Sequence, residues 1–122
     1  MHVRRRDDAP RHERGGQVSR LLFAPQLDSA RLAVTWVRGE PGSEQRRHAH
    51  EDSEQVYVVF RGRGLMTVGG EQREVEAGTS VLIPPGAEHS IRNTGGEPLE
   101  YVSAAAPPFP AEIAGDRWRP EA

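Results

Sequence analysis

Cysteine and lysine are both missing from this 122-residue chain, whose 16 basic residues are all arginine. Without cysteine there is no disulfide framework, no thiolate nucleophile and no sulfur-ligated metal, so any bound ion has to be held by nitrogen and oxygen. Without lysine, Schiff-base chemistry and a lysine-tethered pyridoxal phosphate are excluded. Long apolar runs are missing as well. None approaches the roughly 20 residues that span a bilayer, and the opening stretch MHVRRRDDAPRHERGG has no apolar segment of the secretory kind. The expectation is a protein that does not enter membranes and resides in the cytoplasm. Neither sign of charge dominates: 16 basic residues face 18 acidic ones, for a net charge of -2 and a pI near 6.2. Nucleic acid and anionic lipid are therefore not expected partners, and no helix-turn-helix pattern accompanies the rest.

What the chain does have is punctuation. Thirteen glycines and ten prolines divide it into short runs of Val, Leu, Ile and aromatic residues, too short for ordinary helices and spaced like strands. The expected strands are Val18–Phe23, Arg31–Val37, Gln55–Arg61, Gly64–Val68, Gln72–Val75, Ser80–Ile83, His89–Asn93 and Leu99–Ala104, with turn signals such as Gly69-Gly70 and Gly95-Gly96 between them. No sustained 3.6-residue apolar stripe interrupts this all-β pattern, and its regular spacing predicts one sandwich or barrel over residues 17–106. Residues 1–16, crowded with charge and glycine, read as a flexible arm or an edge strand. The proline-rich stretch 107–122 reads as an irregular tail that Phe109 and Trp118 would pin to the barrel.

Three of the five histidines carry the chemistry. His48 and His50 are two apart, and side chains two apart on a strand point the same way, so both can reach one ion. His89 follows some forty residues later, just past Pro84-Pro85-Gly86. Imidazole suits several first-row metals, which leaves Fe, Ni, Mn, Zn and Cu open as one divalent ion. His2 and His12 lie in the polar arm and read as solvated.

The surroundings of these histidines resemble the two motifs of the cupin superfamily. Gly42, five residues, His48-Ala49-His50, four residues, Gln55, six residues and Gly62 follow the first motif; Gly78, Pro84, Gly86, His89 and Asn93 stand at the defined positions of the second. The resemblance implies a double-stranded β-helix, or jelly-roll, barrel in which His48, His50 and His89 ligate the ion together with the residue at the position where the family usually has glutamate. That position holds Gln55, read as the fourth ligand through its amide oxygen. Glu54 is the rival, although a shift of one residue on a strand turns the side chain to the other face. Gly42, Gly62, Gly78 and Gly86 are read as turn residues with positive φ.

Three neutral imidazoles and a neutral amide leave the double charge of the ion uncompensated, which favours an anionic, chelating small molecule as substrate. Arg47, or Arg38 and Arg61 at strand ends, would grip such an anion. Tyr57 shares the parity of Gln55 and is a candidate proton donor, while Trp36, Phe60 and Trp118 read as packing. Cupins with three-histidine sites commonly act as oxygenases, so the resemblance implies an oxygenase-type, dioxygenase-like oxidoreductase first and a metal-dependent lyase or isomerase second. A non-enzymatic sensing or binding cupin with a structural metal is the reading from another class. Metal-free cyclase or epimerase chemistry fits less well, because the paired His48 and His50 would then have no task. The other face of the Gln55 strand, Val56, Val58 and Phe60, is also apolar, and a homodimer is expected to cover it.

Overall fold

The structure is a computed structural model that describes residues 1–28 and 30–108. Two antiparallel sheets face each other. The larger has the order β1-β2-β3-β9-β4-β7, with β1 Arg11–Arg14, β2 Gln17–Phe23, β3 Ala33–Gly39, β9 Leu99–Ala106, β4 Glu54–Arg61 and β7 Ser80–Ile83; the smaller is β6-β5-β8, with β5 Arg63–Val68, β6 Glu71–Glu76 and β8 His89–Asn93. The non-sequential neighbours β3-β9-β4 are what a jelly roll requires, and they make the barrel that the strand spacing predicts.

Alternation does the sorting. Along β4 the odd positions Gln55, Tyr57 and Val59 are buried while Val58 and Phe60 are exposed, and on β9 Leu99, Tyr101, Ser103 and Ala105 face inward. The core between the sheets is Val37, Tyr57, Val59, Met66, Val75, Ile83, Ile91, Leu99 and Tyr101. At Gly62 the chain leaves β4 for the smaller sheet with φ at 77°. A Cβ there would collide with the Pro98 carbonyl oxygen, so this corner needs glycine for both its dihedral and its space. Gly42, Gly78 and Gly86 also have positive φ.

Several elements differ from the sequence expectation. The second expected strand begins two residues later, at Ala33, and runs on to Gly39. A single helical turn, Pro25–Asp28, precedes it, closed by Leu27 and Asp28 amides on the Ala24 carbonyl; four residues are too few for a periodic signal. The N-terminal stretch contributes the edge strand β1, paired with β2 from Arg11↔Arg20 to Arg14↔Gln17, and Arg4 ties it down through Asp28 at 2.8 Å. Phe109 and Trp118 lie outside the described residues. Residues 42–48, though not a regular strand, run antiparallel to β8 through the bridges Glu44↔Arg92 and His48↔His89. This extends the smaller sheet by one lane and carries the histidine pair to the barrel mouth. Among the described residues no helix is long and apolar enough to cross a membrane.

Candidate metal centre

His48 and His89 are cross-strand neighbours, exchanging both backbone hydrogen bonds (His48 N to His89 O 3.2 Å, His89 N to His48 O 2.9 Å). Their ring centroids lie 4.2 Å apart. The His50 ring is 5.0 Å from that of His48 and 6.0 Å from that of His89, and the His50 carbonyl accepts from Gly86 N at 2.9 Å, which fixes the pair against the Pro84-Pro85-Gly86 turn. The structure therefore brings together the three histidines that the sequence separates by some forty residues, and one nitrogen from each lies within 4.8 Å of the others. Two imidazole nitrogens that share an ion at about 2.1 Å are at most about 4.2 Å apart. The three nitrogens, all within 4.8 Å of one another, come close to that limit.

The protonation of the His48 and His89 rings follows from their backbone contacts. Nδ1 of His48 sits 2.8 Å from the Arg46 carbonyl and Nδ1 of His89 3.0 Å from the Ala87 carbonyl. A carbonyl oxygen can only accept, so each Nδ1 carries its proton and Nε2 is the basic nitrogen, the arrangement in which an outer partner sets the tautomer of a ligating histidine. Burial lowers the His89 pKa, with the Ala87 contact opposing it in part, so the neutral, ligating form is favoured. His89 is 1% exposed, and its Nε2 is buried without a partner. An orphaned basic nitrogen beside two more imidazoles is what a cation would satisfy. On that observation the residues fit a divalent ion.

Gln55 comes from the facing sheet, on β4 between Ile83 and Ala105. It is 3% exposed and donates from Nε2 to Ser103 Oγ at 3.2 Å, which leaves its carbonyl oxygen as the end available to an ion. Glu54 lies on the other face of the same strand and is exposed. Tyr57 is buried, presents its ring edge-on to His89 at 5.8 Å and donates its hydroxyl to Gln45 Oε1 at 3.1 Å. Arg47 is half-exposed at the rim, 3.8 Å from Glu88.

A cavity of about 520 Å³ opens between the β1–β2 hairpin and residues 44–50; His48, His50, Gln55 and Tyr57 line it, as does Arg47. Arg38 and Arg61 do not. Arg38 pairs with Glu40 at 3.3 Å and Arg61 with the buried Glu100 at 3.4 Å, so strand-end position sends both guanidiniums away from the cavity. In their place Arg14 and Arg46 line it, and so does His12, which stands half-buried on β1 rather than in a solvated arm. Sequence reasoning also missed Tyr101 and Ser103, although the inward parity of β9 marks both. His12 and Arg14 carry no comparable signal, because their place depends on β1 folding back on β2.

Comparisons agree with this architecture. The cupin-domain family model matches residues 35–105. An uncharacterized protein of Methanocaldococcus jannaschii is 41% identical over 71 residues, 58% of this chain and 57% of that protein. The chain thus spans little more than half of that relative's length. The oxalate-binding protein of Thermotoga maritima is 33% identical over 94 residues, 74% of this chain and 78% of that one. Among solved structures, a predicted oxalate decarboxylase from Thermotoga maritima superimposes with a TM-score of 0.78 at 21% identity, covering 86% of this chain and 98% of that one. With both motifs set on a jelly-roll barrel and the family model spanning most of that barrel, this chain belongs to the cupin family.

Proposed function

We propose that this chain is a metal-dependent cupin enzyme that acts on a small polar or carboxylate-bearing metabolite, with oxygenase-type chemistry as the first reaction class. The observation that carries the reading is the buried, partnerless Nε2 of His89, set beside His48 and His50; the Nδ1 protons of His48 and His89 are turned toward backbone carbonyls. In this reading His48, His50, His89 and the amide oxygen of Gln55 hold one divalent ion drawn from Fe, Ni, Mn, Zn or Cu. The bound ion supplies Lewis acidity, polarising a carbonyl or activating water or oxygen.

The protein's own residues do the rest. Arg14, Arg46 and Arg47 line the cavity from exposed positions and draw an anionic, chelating ligand inward. Such a ligand suits a centre whose four donors are all neutral. Ser103 holds the Gln55 amide so that its oxygen is presented. Tyr57 braces the His89 ring and, through Gln45, joins the cavity wall to the 44–50 segment; it is the candidate for moving a proton next to the centre. The exposed apolar face of β4 and β7, with Val58, Phe60 and Leu82, is read as the contact of a homodimer.

One observation favours a second reading, in which the ligand is bound and not turned over: the Thermotoga maritima relative is an oxalate-binding protein. Metal-dependent lyase or isomerase chemistry would use the same centre. Elemental analysis of the protein purified without added metal, repeated on His48→Ala, tests the common core. About one ion per chain in the wild type and its loss in the variant are expected. Wild-type protein with far less than one ion, or a variant that keeps it, contradicts the assignment. Stripping the metal then separates the classes, since an enzyme loses its turnover and a structural site loses only melting temperature.

A further inference from the structure

The polar atoms deepest in the barrel are closed to a ligand. The Tyr101 hydroxyl and Gln17 Nε2 are buried and unpartnered among the described residues, out of reach from the cavity. Beyond the centre itself, the charged groups that an entering molecule meets are those of the mouth.

That mouth is basic although the chain is not. Over the whole sequence 16 arginines face 18 acidic residues, yet the arginine and carboxylate side chains lining the cavity are Arg14, Arg46 and Arg47 against Glu44 alone. All four are exposed. Arg47 already has a partner in Glu88 at 3.8 Å, whereas Arg14 and Arg46 have no ion pair among the described residues.

These guanidiniums are rooted close to the histidines. The Arg46 carbonyl is the contact that orients His48, at 2.8 Å from its Nδ1. Along an extended lane the Cα of Arg46 is about 7 Å from that of His48, and that of Arg47 about 3.8 Å. Arg14 comes to the same rim from the hairpin, where its neighbour Gly15 meets residue 44: a Cβ at Gly15 would stand 4.0 Å from the Glu44 carbonyl oxygen. An acid with a single carboxylate spends that group on the ion. It is drawn in by the field of the rim but leaves the guanidinium forks nothing to bind, and such a fork matches carboxylate and phosphoryl oxygens in pairs.

We propose that the cavity takes a dianion, a hydroxy or oxo acid whose carboxylate end chelates the ion and whose second anionic group, carboxylate or phosphoryl, is bound by Arg46 with Arg14 opposite. A length of about three to five carbons suffices to carry that group from the ion to an arginine rooted about 7 Å along the lane. The proposal rests on the metal-centre reading and adds to it the charge of the ligand and the residues that select it.

Two matched pairs of probes isolate the second charge. 2-Hydroxyglutarate and 2-hydroxypentanoate differ only in a terminal carboxylate, and 3-phosphoglycerate and glycerate only in a phosphoryl group. Titration calorimetry on the cobalt(II)-loaded full-length chain at low salt should find at least one dianion binding about tenfold or more tightly than its match. Which pair shows the gain tells a second carboxylate from a phosphoryl group. Arg46→Gln should cut that ratio by about fivefold or more and leave the monoanion within about twofold, and Arg14→Gln should act in the same direction. Arg38→Gln removes the same charge at a guanidinium that pairs with Glu40 away from the cavity, and should leave the ratio within about twofold. The proposal is overturned if neither dianion gains over its match, if Arg46→Gln leaves the ratio unchanged, or if Arg38→Gln lowers it as much as Arg46→Gln does. If none of the four acids binds the cobalt-loaded protein better than the metal-free protein, the metal reading itself has failed and this inference falls with it.

Discussion

Replacing His89 with leucine separates a metal-ligating histidine from an ordinary core histidine, because the two make opposite demands on the same atom. His89 is 1% exposed with an unpartnered Nε2. In metal-free protein that nitrogen is a liability, since a buried polar atom without a partner costs about 1–3 kcal/mol. Leucine is of similar bulk and removes that cost, against the loss of the Nδ1 bond to the Ala87 carbonyl, worth about 1 kcal/mol, so metal-free His89→Leu should be about as stable as wild type or more so. With metal the ordering reverses. An ion present at a hundred times its dissociation constant adds about 2.7 kcal/mol to the wild type, and a domain of this size gains about 4 °C per kcal/mol, so a rise of about 10 °C is expected. In His89→Leu that rise should disappear. Thermal melts followed by circular dichroism, with zinc or with chelator, read all four states. A variant that keeps the metal-induced rise refutes the reasoning, and so does a wild type that never shows it.

Other outcomes follow from the same geometry. Gln55→Glu would place a carboxylate beside the ion and should raise metal affinity by about tenfold or more in chelator competition, whereas Glu54→Gln, on the outer face, should leave it within about twofold. The stability of the metal-free protein should rise with pH across the histidine range. The His89 pKa is lowered in the fold, so the unfolded chain binds more protons in the window between the two values; the stabilisation is complete above the unfolded pKa and fades as pH falls toward the folded one. Urea midpoints at pH 5 and 7.5 would show it, and His89→Leu should flatten the slope. Leu82 is 60% exposed and pairs with Val56 on the outer face of β4, which also carries Val58 and Phe60; sedimentation should find a dimer in the wild type and a monomer in Leu82→Arg, while a wild-type monomer would refute the proposed contact. Gly62→Ala should be strongly destabilising in urea unfolding, since its Cβ meets the Pro98 backbone at a positive φ; a loss below about 0.5 kcal/mol would refute that.

The parts of this molecule that could be read from sequence are those governed by period and by local chemistry. Ser80–Ile83 and His89–Asn93 form strands with the expected bounds: Val81, Leu82 and Ile83 are bracketed by Gly78 and Pro84, and the second strand stands between the Pro84-Pro85-Gly86 and Gly95-Gly96 turn signals. The spacing of His48 and His50 and the second motif around His89 point to a shared site from sequence, and alternation sets Gln55 and Glu54 on opposite faces of one strand. What could not be read depends on contacts made at long range. Arg38 and Arg61 were expected near the substrate and instead pair with Glu40 and Glu100. His12 and Arg14 reach the cavity because β1 folds back on β2. The empty hydrogen-bond valences of Tyr101 and Gln17 exist only once the larger sheet has closed around them.

The central claim is that one ion joins His48, His50 and His89. A crystal of the metal-loaded protein, with anomalous differences collected at the metal edge, tests it most directly. The account predicts a single strong peak about 2.0–2.2 Å from one nitrogen of each of the three rings, on the cavity side of His89 Nε2. A peak elsewhere on the chain, or loaded protein with no peak among these three imidazoles, would contradict it.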